Sequence, residues 1–235
     1  GDVIAARWVA DDISYDEMAG IFMEYPGIKR AIISSTREKM TPAERWLGDN
    51  MVKVIHFDHA VHTPLKNLYD TPATLGADRL AAAVGAQKLY PGRNIMVADF
   101  GTALTVDIVT AAGEFLGGNI APGVSTRFRF LNHYTGKLPL VDMPENGQMA
   151  GSTGLDGLIG KDTPGAISAG VLTGMLLELE GYIDRFAKEF DDLAVIFTGG
   201  EAYYFAEKLK STIFANYDLV LIGLNTILKY NAGKE

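Results

Sequence analysis

The chain has 235 residues, 48% of them hydrophobic and 21% charged, the make-up of a folded globular protein large enough for one sizeable domain or two small ones. It has no cysteine, which excludes disulfides and thiolate metal sites. Its net charge of -8 argues against a general nucleic-acid binder, which carries a basic face, yet is compatible with a small anionic substrate gripped by one or two local cations. No signal peptide and no membrane-length apolar run are visible, so the expected compartment is the cytoplasm, with no membrane partner.

Taken in order, Val3 to Val9 reads as a strand. Ser14-Tyr-Asp-Glu17 is a capping box opening an amphipathic helix that Pro26-Gly27 stops. Arg30 to Ser34 is a buried strand. Thr41-Pro-Ala-Glu44 is a second capping box, with proline at the first helical position, and Val52 to Ile55 is a further strand. An alanine-rich helix extends from Gly76 to Tyr90, closed by Pro91-Gly92. Strands at Ile95 to Ala98, Leu104 to Thr110 and Glu114 to Ile120 come next, then a helix beginning near Pro122-Gly123.

Residues 143–160 are glycine-rich and read as a loop or β-excursion. A long helix runs from about Pro164 to Phe190, with Ala166, Gly170 and Gly174 at four-residue spacing on one face, where another backbone could approach. Glu178 and Glu180 argue against a membrane span. The finish is a strand at Ala194 to Phe197, a turn at Thr198 to Gly200, a helix to Ser211, a strand at Leu219 to Ile222 and a last helix. This alternation makes the class α/β. It suggests two related halves, residues 1–97 and 98–235, with a ligand cleft between them.

Four segments could carry chemistry. The stretch Asp99-Phe-Gly101-Thr102, with Thr105 and Asp107 after it, puts an acid at a strand end beside a tight turn. The carboxylate can hold a cation, the glycine lets backbone N–H groups approach an oxyanion, and the threonine adds a donor. Taken alone, it favours an ordinary hairpin with a capped turn. In Gly76-Ala77-Asp78-Arg79 the glycine opens a helix whose free N–H groups favour anions. A buried carboxylate at Asp78 can take a proton from a hydroxyl, and Arg79 can grip an anion in fork geometry. The plain alternative is a dipole-stabilised aspartate beside a surface arginine. Gly117-Gly118, leading to Pro122-Gly123, allows close backbone approach, for a ligand or simply for packing. Thr198-Gly199-Gly200 is a strand-to-helix turn of the kind that holds nucleotides through backbone contact, or an ordinary corner. His56, His59 and His62 have the spacing of metal ligands, but nothing fixes them on one face, and they read as solvated loop histidines. Gly160-Lys161 is not a P-loop, because Leu155 and Asp162 stand where that motif needs glycine and a hydroxyl.

Together and in this order, these segments resemble type III pantothenate kinase, a family of the actin, sugar kinase and heat-shock ATPase fold. The resemblance rests on Tyr69 with Pro72, Gly76-x-Asp78-Arg79, Asp99-x-Gly-Thr-Ala-x-Thr105 with Asp107, and Gly117-Gly-x-Ile-x-Pro122-Gly123. Thr135-Gly-Lys-Leu-Pro139, Gly160-Lys-Asp-Thr163 with Ala166-Ile167 and Gly170, and Thr198-Gly-Gly200 extend it. It implies two ribonuclease-H-like domains around a cleft and ATP-dependent phosphorylation of pantothenate at its primary hydroxyl, the first step toward coenzyme A. By the same resemblance Asp78 is the general base, and Tyr69, Gly76, Ala77 and Arg79 lie at the substrate. Asp99 holds a monovalent cation (K+ or NH4+), and Gly101 and Thr102 contact ATP phosphate. Thr198, Gly199 and Gly200 lie near the adenosine, and Mg2+ bridges the phosphates. The family's homodimer would bring Thr163 to pantothenate from the partner subunit.

The family also opens with a phosphate-binding hairpin turn of the form Asp-x-Gly-Asn-Thr, which does not occur before Asp78. The expectation is that about twenty residues precede Gly1 in the native protein, and that this stretch by itself binds ATP poorly and has little activity. Two alternatives stay open at this level: a catalytically impaired relative acting as a regulator or binding protein, and a different small-molecule kinase of the same fold.

Overall fold

A computed structural model of the chain describes residues 4–8, 12–35, 40–144 and 149–233. Residues 4–8 have no regular structure, and Val3 and Val9, the ends of the expected first strand, lie outside the described residues. Both capping boxes form. Ser14 Oγ accepts from the Glu17 N–H at 3.2 Å while the Glu17 carboxylate accepts from the Ser14 N–H at 2.8 Å, opening helix α1 (Tyr15–Glu24). Thr41 and Glu44 make the same reciprocal pair at the start of α2 (Pro42–Asp49). These helices cover two parallel strands, β1 (Arg30–Ile33) and β2 (Lys53–His56), over a small core of Met18, Trp46 and Leu47.

The rest of the chain builds a six-stranded sheet. Its strands are β3 (Lys66–Asn67), β4 (Ile95–Phe100), β5 (Ala103–Val109), β6 (Glu114–Pro122), β9 (Ala194–Gly199) and β10 (Ile213–Ala215), in the spatial order β10-β9-β4-β5-β6-β3. β4, β5 and β6 form an antiparallel meander, while β9 joins β4, β10 joins β9 and β3 joins β6 in parallel. A short hairpin, β7 (Thr153–Gly154) with β8 (Ile159–Gly160), forms in the glycine-rich excursion, of which residues 145–148 lie outside the described set.

Helices cover both faces of the sheet. On one side lie α4 (Val124–Tyr134), α7 (Ala202–Ala206) and one continuous helical run: α5 (Thr163–Ser168), a π-helical turn at Ala169–Thr173, and α6 (Gly174–Glu189). By length and composition that run could cross a membrane. Here, however, it buries Ile167, Val171, Leu172, Met175, Leu179 and Ile183 against Met96, Ala98, Phe100, Leu104 and Val106 of the sheet. On the other side lie α3 (Ala77–Leu89) and α8 (Leu219–Ala232), packed over Ile95, Val97, Val109, Phe115 and Ile196.

Several expectations need correcting. Leu219 to Ile222 is not a strand but the first turn of α8. A four-residue apolar run has no period of its own, and here burial against α3 decides for helix. The strand in this region is β10 instead, three residues set between Thr212 and Asn216 and too short to show in the pattern. The helix expected to reach Ser211 stops at Ala206. Thr198 and Gly199 belong to β9, and Gly117 and Gly118 lie inside β6 rather than at its end.

The small-residue face of the long helix is also different from expectation. A side chain at Gly170 or Gly174 would meet nothing within 4 Å, and only Ala166 is closely approached, by Gly160. The close helix contact is instead between α3 and α8. A Cβ on Gly85 would overlap the Leu219 carbonyl oxygen, and one on Gly223 would overlap that of Ala81. The two sites make a sharp contrast for mutagenesis. Gly223→Ala should destabilise the protein by about 1–3 kcal/mol through overpacking. Gly174→Ala, at helical φ −56° and ψ −44° in open space, should be neutral or stabilising by up to about 1 kcal/mol. Urea unfolding of both variants checks the pair, and equal effects would contradict it.

Candidate functional site

Side chains alternate across a sheet, so the core membership of each strand fixes where its polar residues point. In β4, Met96, Ala98 and Phe100 face α4–α6 while Ile95 and Val97 face α3 and α8, which puts Asp99 on the α3 side. The same alternation puts Thr105 and Asp107 of β5 and Thr198 of β9 on that side. Asp99 is directly paired in register with both Thr105 and Thr198. Helix α3 begins at this group. Gly76 is its N-cap with no side-chain cap, Ala77 its first residue, and Asp78 and Arg79 lie in its first turn.

Asp78 is exposed rather than buried, in contrast to the sequence-based expectation, because its carboxylate folds back over the open helix end. Oδ1 accepts the Arg79 N–H at 2.9 Å, and a Cβ on Gly76 would lie 2.5 Å from the same oxygen. Arg79, by contrast, is buried and is no surface arginine. Its Nε donates to Asp107 Oδ2 at 3.0 Å and its Nη2 to Oδ1 at 2.5 Å. The guanidinium carbon sits 5.6 Å from the centre of the Tyr69 ring. Strand β3, too short to show in the sequence pattern, positions that ring. Leu68 N–H donates to the Phe115 carbonyl, and Tyr69 packs against Phe115.

The glycine pair in β6 has a purpose that the sequence does not reveal. Gly117, at φ +102°, makes room for Tyr69, whose Cδ2 would lie 2.9 Å from an added Cβ. Gly118 is the register partner of Asp107, and an added Cβ would overlap the Val106 carbonyl oxygen and lie 2.6 Å from Asp107 Oδ1. The end of the same motif braces the first turn: Gly123 N–H donates to the Thr102 carbonyl at 3.0 Å, as does Thr126 Oγ1 at 2.7 Å. Gly101 and Thr102 are exposed there. The Gly101 N–H is engaged by the Ala103 carbonyl, so an anion at this turn would meet other donors first. Across the strand ends, Gly199 (φ +91°) presses on Asp99. A Cβ there would lie 2.7 Å from Asp99 Oδ1, and the Gly200 N–H donates to the Phe100 carbonyl.

Thr163 is exposed at the start of α5, on the opposite face of the sheet from Asp78 and Asp99. The three histidines are not drawn together as metal ligands: His56 Nδ1 lies 3.7 Å from Glu44 Oε1, and the His62 carbonyl accepts from Asn231. Among the described residues, no group of three or more His, Asp or Glu side chains is arranged to hold a metal.

One carboxylate, Asp107, thus engages the Arg79 guanidinium, and the charges of Asp78 and Asp107 both act on Asp99. Burial pushes the Asp107 carboxyl above its ordinary range, offset in part by Arg79. Burial by itself would lower the Arg79 guanidinium, but its bonds to Asp107 outweigh this and hold it high. The Asp99 carboxyl is pushed up to about 6, first by burial and then by the charges of Asp78 and Asp107, and no hydrogen bond offsets the rise. Ionising Asp99 therefore costs the folded state stability. The cost is absent below about pH 4, grows as pH rises toward 6 and is complete above, with a ceiling of about 3 kcal/mol. Asp99→Asn should gain about 1–3 kcal/mol over the parent at pH 7.5 and almost nothing at pH 4 in urea unfolding without potassium. A gain that does not change with pH would count against this placement of Asp99.

A family model described as type III pantothenate kinase matches residues 7–185. A type III pantothenate kinase of Phocaeicola vulgatus is 42% identical over 218 residues, covering 93% of this chain and 86% of that protein. One from Porphyromonas gingivalis is 47% identical over 168 residues, covering 72% and 66%. A crystal structure from Campylobacter jejuni, described as a Baf family transcriptional activator, shares the fold with a TM-score of 0.59 at 23% identity, covering 92% of this chain and 89% of that one. The match of the family model over most of the chain, together with these identities, shows that the chain belongs to the type III pantothenate kinase family.

Proposed function

We infer that this protein transfers the γ-phosphoryl group of ATP to the primary hydroxyl of pantothenate, giving 4′-phosphopantothenate at the first step of coenzyme A biosynthesis. The observation that carries this is the exposed Asp78 carboxylate at the open N-terminus of α3, beside the buried Arg79 and on the same sheet face as Asp99 and Thr198. Asp78 is reachable by a substrate hydroxyl and can accept its proton as the new O–P bond forms and the bond to ADP breaks. Tyr69, Gly76, Ala77 and Arg79 surround that position and bind pantothenate.

The turn at Gly101 and Thr102 takes the ATP phosphates, and Thr198, Gly199 and Gly200 lie toward the nucleoside. Bound Mg2+ supplies charge neutralisation on the phosphate oxygens. Asp99 fits a monovalent cation, K+ or NH4+: its carboxylate is largely buried, faces two other acids and has no hydrogen bond to offset them.

The architecture we propose is that of the actin, sugar kinase and heat-shock ATPase group, with ribonuclease-H-like halves at residues 1–97 and 98–235 and the ligands between them. In its favour the β1-β2 pair forms a sheet of its own, while the six-stranded sheet takes β3 and β4 from before and across residue 97, and α3 packs on α8 of the second half. We propose a cytoplasmic homodimer in which Thr163 of one copy reaches the substrate of the other. Exposed Leu155, Leu158 and Ile159 just before it, and the placement of α5 across the sheet from Asp78, support that reading.

A coupled ADP-release assay on the native full-length protein should show turnover with pantothenate and none with glucose, stimulated by potassium; activity on glucose alone would refute the assignment. Asp78→Asn should lower kcat by about 10²–10⁴-fold while pantothenate binding stays measurable. If turnover survives within a few-fold, Asp78 is not the base. Asp99→Asn should lose the potassium stimulation, and a variant that keeps it places the cation elsewhere.

A further inference from the structure

One buried acid in the middle of the site takes no direct part in the phosphoryl transfer. Asp107 is 2% exposed, and both of its oxygens accept from Arg79, one from Nε and one from Nη2. A two-point contact of this kind fixes the plane of a guanidinium as well as its position, which a single contact or a lysine cannot do. Arg79 is held on its other side by the Tyr69 ring. Both supports depend on the β6 glycines. Gly118 stands opposite Asp107 in the strand register and leaves space for its carboxylate, while Gly117 leaves space for Tyr69.

We propose that Asp107 is a positioning residue for the kinase reaction, holding the Arg79 guanidinium in the one orientation in which its remaining N–H groups meet the polar end of pantothenate, with Gly118 keeping that carboxylate in place. Asp107 touches neither substrate nor the reacting atoms. It acts through Arg79, and the inference rests on Arg79 as a pantothenate ligand. A guanidinium released from one side would swing within its pocket, and displacements of about 1 Å at a binding group can cost on the order of 10²-fold.

Steady-state kinetics on the native full-length protein with pantothenate and ATP test this, using Arg79→Lys, Asp107→Asn and the double variant. Asp107→Asn should raise the pantothenate KM by about 10–100-fold and leave the ATP KM within about twofold. The double variant should lose far less than the product of the two single losses, because either change already breaks the same contact. Should Asp107→Asn fail to fold, Asp107→Glu keeps the charge but displaces both oxygens from the guanidinium and should raise the pantothenate KM several-fold. An unchanged pantothenate KM in folded Asp107→Asn or Asp107→Glu, alongside a raised one in Arg79→Lys, overturns the role of Asp107 and leaves the substrate role of Arg79 standing. An unchanged KM in Arg79→Lys overturns both, and absence of any pantothenate turnover in the native full-length protein overturns the proposed function itself.

Discussion

Helices α3 and α8 meet backbone to backbone, through Gly85 against the Leu219 carbonyl and Gly223 against that of Ala81. That contact sets how low α3 can lie on the sheet, and so where its first turn falls. Helix interaxial distances of about 8–10 Å reflect the side chains between them, and glycine on both partners brings them to the short end. With α3 seated this closely, Asp78 and Arg79 arrive over the ends of β4 and β5 instead of above them. A bulkier pair would lift the helix and carry the arginine away from Asp107.

The site built on this contact is governed by charge. Burial, then the charges of Asp78 and Asp107, raise the Asp99 carboxyl, while Asp107 is raised chiefly by burial and held back by its bonds to Arg79. Buried charges of one sign are expensive unless paired. The arrangement is therefore suited to cationic ligands and to a substrate hydroxyl whose proton the exposed acid can take. Asp107 and Arg79 settle one pair internally, and that leaves Asp78 and Asp99 to act outward, the first at the open helix end and the second between two strand ends.

Much of this is legible in the sequence, but only where the signal is local. The capping boxes at Ser14 and Thr41 lie within four residues and form as expected. The strands around Asp99 are long enough for their apolar pattern to show. Tertiary signals are out of reach. Leu219 to Ile222 has no periodicity with which to choose between strand and helix, and the choice is made by α3, far away in the chain. Strand β3 is two residues long and exists because β6 offers it an edge. The task of Asp107 depends on an arginine 28 residues earlier, and those of Gly117 and Gly118 on the shapes of Tyr69 and Asp107. A glycine pair in a sequence says that something comes close, not what it is. Tyr69, Asp78, Arg79 and Asp99 stand out as one group only because their motifs occur in a familiar order.

The π-helical turn at Ala169–Thr173 has a consequence for the long helix that carries it. Ile167, Val171, Met175, Leu179 and Ile183 recur every four residues and all reach the same core. In an unbroken α-helix, with about 100° per residue, a four-residue repeat drifts about 40° around the axis at every step. Over the whole span the stripe would wander to the far side. The wider π turn holds more residues per revolution and turns the drift back partway along. It works as a phase correction, allowing one continuous helix to stay apolar toward the sheet along its full length.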